Sequence, residues 1–139
     1  MTIKKPSELL GRTITDVPSA THLPGSKIIV TPSHMDDMYK VTIDGVAFGL
    51  GVGGDGLISY VSTNDPSFIT PEGARVGMTL QEMPPSVERR VQRSAGWIFY
   101  IRLPSGWRVA FLDDGSLPNG AVLPANARVA EIFMGKWPE

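Results

Sequence analysis

His34-Met35-Asp36-Asp37 sets an imidazole and two carboxylates within four residues, a dense group able to move a proton or hold a metal. A metal site needs three or four ligands and outer groups that orient them. No further ligand stands at a suitable spacing, and the other histidine, His22, is alone in its segment. These residues therefore read as ordinary loop residues, and a small hydrolase built on His34, Asp36 and Asp37 stays as an alternative. Asp65, Glu72, Glu82 and Glu88 surround the centre of the chain. A carboxylate pair across a scissile bond performs acid–base hydrolysis, but nothing in the sequence sets two of these on opposite sides of one bond. Gly49-Leu-Gly51-Val-Gly53-Gly54-Asp-Gly56 suggests a phosphate loop. Such loops open a helix whose first amides hold the phosphate; here Leu-Ile-Ser-Tyr-Val follows, which is strand-like, and no Lys-Ser/Thr pair is present. Ser105 lacks a Gly-x-Ser-x-Gly elbow, and Asp55-Gly56 and Asp113-Asp114-Gly115 lack the alternating acids of a calcium loop. With no cysteine in the chain, thiol catalysis, thiolate metal sites and disulfides are all excluded. No catalytic residue, metal ligand or cofactor is assigned.

Binding chemistry is better represented. A three-residue loop at Pro104–Gly106 would pair Leu103 with Trp107, Ile101 with Val109 and Phe99 with Phe111, which is a core face. The other face then sets Tyr100 against Ala110 and Arg102 against Arg108. Like charges directly opposite are unfavourable. They either splay into water or hold an anion or an acidic partner between them, and both readings stay open. Tyr100, Arg102 and Arg108, with the loops at Asp55, Asp65 and Asp113, are the candidate partner-binding residues.

The elements that must position these residues are mostly strands. Tyr39–Ile43, Asp44-Gly45 and Val46–Leu50 predict a hairpin on a type I′ turn, pairing Ile43 with Val46, Val41 with Phe48 and Tyr39 with Leu50. A second two-residue turn at Asp55-Gly56 predicts Tyr60 opposite Gly51 and Ile58 opposite Gly53. Large side chains lying over cross-strand glycines stabilise a sheet; the glycine row is either packed in this way or left bare as the floor of a groove. Further strands are expected at Arg12–Val17, Lys27–Thr31 and Val129–Met134, with breaks at Pro18–Ser26 and Pro32–Asp37 and a long loop over Asp113–Asn126. Short helical turns are expected at Pro6–Gly11, from Met78 to the Pro84-Pro85 stop, and from Ser86 to Gln92. The expected fold is α+β and β-dominated, a mainly antiparallel sheet of about seven strands with one or two short helices, in a single domain over 1–139 with a peripheral segment at 1–26.

Composition agrees. With 15 Gly, 12 Pro and 19% charged residues in 139, the chain is rich in turns and sparing of charge. Its net charge of −1 and scattered basic residues leave no nucleic-acid footprint, and the cluster Arg89, Arg90 and Arg93 reads as a solvated face. No apolar run approaches the ~20 residues of a membrane span. The start, Met-Thr-Ile-Lys-Lys-Pro-Ser-Glu, has no apolar signal region, so the chain reads as cytosolic or as a mature secreted protein with its signal replaced by Met1.

The segment Asp65–Glu82 is dense in residues that fix the backbone: Asp65-Pro66, Thr70-Pro71, Gly73, Gly77 and a Thr79-x-x-Glu82 capping box. Its pattern, Asp-Pro-x-Phe-x-Thr-Pro-x-Gly-x-x-Val-Gly-Met-Thr-Leu-x-Glu, resembles a motif of small bacterial secreted proteins and lipoproteins. Gly77-Met78-Thr79 is similar to the helix start of outer-membrane assembly lipoproteins of the SmpA type, although Pro84-Pro85 cuts short the helix those proteins continue. The resemblance implies a periplasmic or outer-membrane-anchored binding protein, with any lipid anchor lying outside this chain; a cytoplasmic location stays open. The expectation is a non-enzymatic envelope protein with a protein partner, most concretely an inhibitor or immunity protein against a secreted hydrolase or toxin, with a structural or assembly lipoprotein as the alternative.

Overall fold

The fold was read from a computed structural model, which describes residues 6–31, 34–83, 92–94, 98–112 and 127–135. Among these residues it contains eight strands and three 3-10 turns, and the chain divides into two compact units: 1–63 with 134–139, and 64–133.

In the first unit four antiparallel strands follow one another: β1 (Thr21–Thr31), β2 (His34–Ile43), β3 (Val46–Val52) and β4 (Ile58–Thr63). The β2–β3 hairpin has the expected register, pairing Ile43 with Val46, Val41 with Phe48 and Tyr39 with Leu50. Its turn requires two left-handed residues and finds them in Asp44 (φ 51) and Gly45 (φ 81). Val41, Phe48, Leu50 and Val61 are buried on one face, each large side chain contributing about 1.5–3 kcal/mol relative to exposure. Ahead of the strands, Pro6–Leu9 and Ile14–Asp16 form 3-10 turns, and Leu9 is fully buried. The expected strand at Arg12–Val17 is reduced to a single bridge, Thr13 to Leu57, with Ile58 N–H donating to the Arg12 carbonyl.

Two other expectations are corrected here. The breaks at Pro18–Ser26 and Pro32–Asp37 are shorter than expected, because β1 begins at Thr21 and β2 at His34. β1 absorbs its Pro24-Gly25 through a register shift between His22 and Lys27, as an interrupted strand does. The turn after β3 is also longer than expected. Gly53 N–H donates to the Leu57 carbonyl and Gly56 N–H to the Gly53 carbonyl, so Gly54, Asp55 and Gly56 form a three-residue loop. Ile58 therefore pairs with Val52, not Gly53. A bulge at Ser59 then restores the expected Gly51–Tyr60 pair.

In the second unit the strand order is β5 (Gln92–Ser94), β6 (Ile98–Arg102), β7 (Arg108–Leu112) and β8 (Glu131–Gly135), of which residues 131–133 belong to this unit. All neighbours are antiparallel. The β6–β7 hairpin keeps the predicted register, including Phe99 opposite Phe111 and Arg102 opposite Arg108. Leu103 N–H donates to the Trp107 carbonyl, and Gly106 (φ 97) closes the three-residue loop. The expected helical turn after Met78 is one 3-10 turn, Leu80–Glu82. Glu82 reaches back to Thr79 as a capping box requires, accepting from its backbone N–H (2.9 Å) and its hydroxyl (2.7 Å). The helices expected of an α+β chain are thus 3-10 turns among the described residues. Pro84-Pro85, Glu88, Arg89, Arg90, the start of the helix expected from Ser86, and the Asp113–Asn126 loop lie outside those residues, as does the side chain of Arg93.

Candidate functional site

The segment Asp65–Glu82 is built as a hydrogen-bonded platform in the second unit. Two turns open it. Phe68 N–H donates to the Asp65 carbonyl and Gly73 N–H to the Thr70 carbonyl. The Asp65 carboxylate accepts from the Ser67 N–H (2.9 Å) and hydroxyl (2.7 Å), and these bonds hold it below its ordinary pKa. Thr70 is buried; its N–H donates to the Ala74 carbonyl while its hydroxyl oxygen accepts from the Ala74 N–H. Downstream, residues 77–80 zip to 127–129: Gly77 N–H donates to the Val129 carbonyl, Val129 N–H to the Met78 carbonyl and Leu80 N–H to the Ala127 carbonyl. Arg128 donates to the Gly77 carbonyl at 2.8 Å. The Thr79 bonds also lower the pKa of Glu82, with smaller help from Arg128 and Arg75.

The platform is fastened to the β6–β7 turn at two points. Phe68 meets Trp107 edge-on, with ring centroids 5.1 Å apart. The Glu72 carboxylate accepts from both the N–H and the hydroxyl of Ser105. Between the anchored Phe68 and the buried Thr70 stands Ile69, which is 56% exposed, the one exposed large apolar side chain among the described residues.

The hairpin face chosen from the sequence is not an exposed surface. Tyr100 and Arg108 are 3% and 7% exposed, and only Arg102 reaches solvent. β7 is flanked by β6 and β8, so Arg108 faces Phe133 directly across the ladder. Its guanidinium lies 5.4 Å from the Tyr100 ring centroid and 5.8 Å from that of Phe133, and the two rings meet edge-on at 5.7 Å. A guanidinium is weakly hydrated and stacks on aromatic faces, so the like-charged pair is relieved by turning Arg108 inward and Arg102 outward. This corrects the reading of Tyr100 and Arg108 as partner-facing anchors.

Asp36 and Asp37 are consecutive in β2 and therefore project to opposite faces. Asp36 is buried, and the Ser59 hydroxyl donates to it. These two residues sit on β2 and β4, with β3 between them. They meet because the bulge re-aims Ser59. Gly53 lies beside Asp36, where a Cβ would make an ordinary contact with one Asp36 oxygen at 3.8 Å and a tight one with an Asp55 oxygen at 3.1 Å. Asp55 is exposed and its carboxylate accepts from the Leu57 N–H at 3.0 Å, which closes its loop. The glycine row is filled at Gly49, where a Cβ would meet the Met38 methyl at 3.2 Å and the Ser62 hydroxyl at 3.3 Å. Asp113 and the His34 side chain lie outside the described residues. Among the described residues no three His, Asp or Glu side chains converge as a metal site would require, and no helix is long and apolar enough to cross a membrane.

Sequence reasoning missed Ile69, Ser59 and the Glu72–Ser105 contact. Ile69 carried one usable signal, an apolar residue isolated between Asp-Pro and Thr-Pro turns. The other two depend on a bulge and on a contact between residues 33 apart, which leave no local pattern.

No protein-family model matches the chain, and no curated protein matches it. Among solved structures it is similar to the uncharacterized protein YfeY from Escherichia coli, with 16% identity and a TM-score of 0.53 over 84% of this chain and 80% of that one. The likeness is one of fold.

Proposed function

We propose that this protein is a non-enzymatic binding protein of the bacterial envelope that engages a protein partner through the Phe68–Gly73 loop, in its most concrete form an inhibitor or immunity protein for a secreted hydrolase or toxin. The observation that carries the reading is Ile69, 56% exposed on a loop held on both sides by buried or bonded residues. A lone exposed apolar residue is unremarkable on a mobile surface. On a pre-ordered loop it is an anchor whose ordering cost has already been met during folding, which is how rigid loops gain affinity. The binding surface thus moves from the hairpin face to the neighbouring platform, with Asp65 as the residue that shapes it and Arg102 as an exposed charge in the same unit. The envelope location draws on the likeness of the Asp65–Glu82 pattern to secreted proteins and lipoproteins.

The test compares capture from an envelope extract by immobilised wild-type protein and by Ile69→Arg, with captured hydrolases assayed in the presence of each. The expected result is a protein retained by the wild type, lost at least tenfold with Ile69→Arg, and inhibited only by the wild type. Equal capture by both forms would remove the loop from the proposal, and recovery of cytosolic proteins alone would remove the location.

A further inference from the structure

Ile69 differs from its neighbours in its backbone as well as in its side chain. The amides on either side of it are bonded within the loop. Ser67 N–H donates to the Asp65 carboxylate, Phe68 N–H to the Asp65 carbonyl and Thr70 N–H to the Ala74 carbonyl. The N–H and the carbonyl of Ile69 enter no hydrogen bond among the described residues. In the free protein water serves both groups. Isoleucine branches at Cβ, so one of its methyl groups stands next to the main chain. A pocket that closes over the whole side chain therefore brings its rim against the Ile69 N–H and carbonyl and displaces their water. Leaving either group without a partner would offset most of what burying one apolar side chain contributes.

We infer that the partner receives Ile69 in an apolar pocket whose rim supplies an acceptor for the Ile69 N–H and a donor for its carbonyl, as the exposed edge of a partner strand does. The inference deepens the partner-binding reading and rests on it for the existence of the partner. It adds main-chain recognition to the role of the Ile69 side chain.

Replacing Ile69 in the full chain by its α-hydroxy acid, through nonsense suppression, turns its N–H into an ester oxygen and keeps the side chain. The urea midpoint is expected to stay at the wild-type value, because this N–H bonds nothing in the folded chain, whereas the same exchange at Thr70 lowers it. Amide exchange followed by NMR is expected to be fast at Ile69 and slowed at Phe68 and Thr70. Exchange at Ile69 as slow as at Thr70 would overturn the inference before any partner is added. The binding probe is the protein retained from envelope extract by the wild type and not by Ile69→Arg, purified and titrated against both backbones. Its affinity for the ester form is expected to fall roughly tenfold. Equal affinity for ester and amide would overturn main-chain recognition and leave the role of the Ile69 side chain standing. Retention of no such protein would overturn the partner-binding reading and this inference with it.

Discussion

Glu72 and Ser105, 33 positions apart, meet in a two-point contact: the Ser105 N–H donates to Oε2 at 2.6 Å and its hydroxyl to Oε1 at 2.9 Å. One carboxylate thereby closes both a loop and a hairpin turn, and the edge-on Phe68–Trp107 pair seals the same junction from its apolar side. The loop that carries Ile69 is consequently part of the β6–β7 framework.

Breaking that contact is expected to loosen the loop more than the fold. Glu72→Ala removes both bonds and is expected to cost about 1–2 kcal/mol, since bonds to a charged acceptor exceed the ordinary ~1 kcal/mol. Ser105→Ala removes only the hydroxyl bond and should cost less. Urea unfolding of both singles and the double gives the coupling; additive losses would mean the contact is not formed in solution.

Ser59→Ala leaves the buried Asp36 without its hydroxyl donor, and a loss of about 1–3 kcal/mol is expected. Asp36→Asn retains an acceptor for the same hydroxyl and is expected to cost less. Equilibrium denaturation of the two variants decides the order, and an unchanged midpoint for Ser59→Ala would contradict it.

Arg108→Lys keeps the charge but loses the planar group that lies over Tyr100 and Phe133. Cation–π contacts of this kind contribute about 0.5–2 kcal/mol, so a loss in that range is expected. Arg102→Lys, at an exposed position, is expected to stay within about 0.5 kcal/mol of wild type. Thermal unfolding of the pair measures the contrast.

Asp65 and Glu82 both have pKa values lowered by hydrogen bonds from Ser67 and Thr79. Their unfolded-state values are higher, so the unfolded chain binds protons first as pH falls. The stability they contribute is complete above the ordinary carboxylate range near pH 4 and is lost as pH drops through their folded values. Urea midpoints measured from about pH 6 down to about pH 2.5 should fall, with a shallower acid slope in Asp65→Asn/Glu82→Gln. Identical slopes would show that neither carboxylate is bonded in the folded state.

Local chemistry made much of this legible in advance. Asp44-Gly45 specified a type I′ turn and with it the register of β2 on β3; a three-residue loop at Pro104–Gly106, where a two-residue loop would have shifted the pairing, gives the register of β6 on β7; Thr79 and Glu82 announced their own cap. Each depends on a few adjacent residues and on backbone preferences that hold in any context. The Asp55-Gly56 turn was read one residue too short, because a three-residue loop followed by a bulge reaches the same distant pair, Gly51 with Tyr60, as a two-residue loop without one. Burial was the larger error. Hairpin alternation assigns Tyr100 and Arg108 to one face but does not say what lies beside it, and β8, which brings Phe133 against Arg108, comes from the far end of the chain. The sequence alone determined the β-dominated class and the pairing of β2 with β3 and of β6 with β7, since these are written in short-range patterns. Tertiary structure alone decided which face was buried, that Asp36 meets Ser59 beside a bulge, and that Ile69 stands exposed on a fastened loop, because each of these is set by contacts between residues the chain order keeps apart.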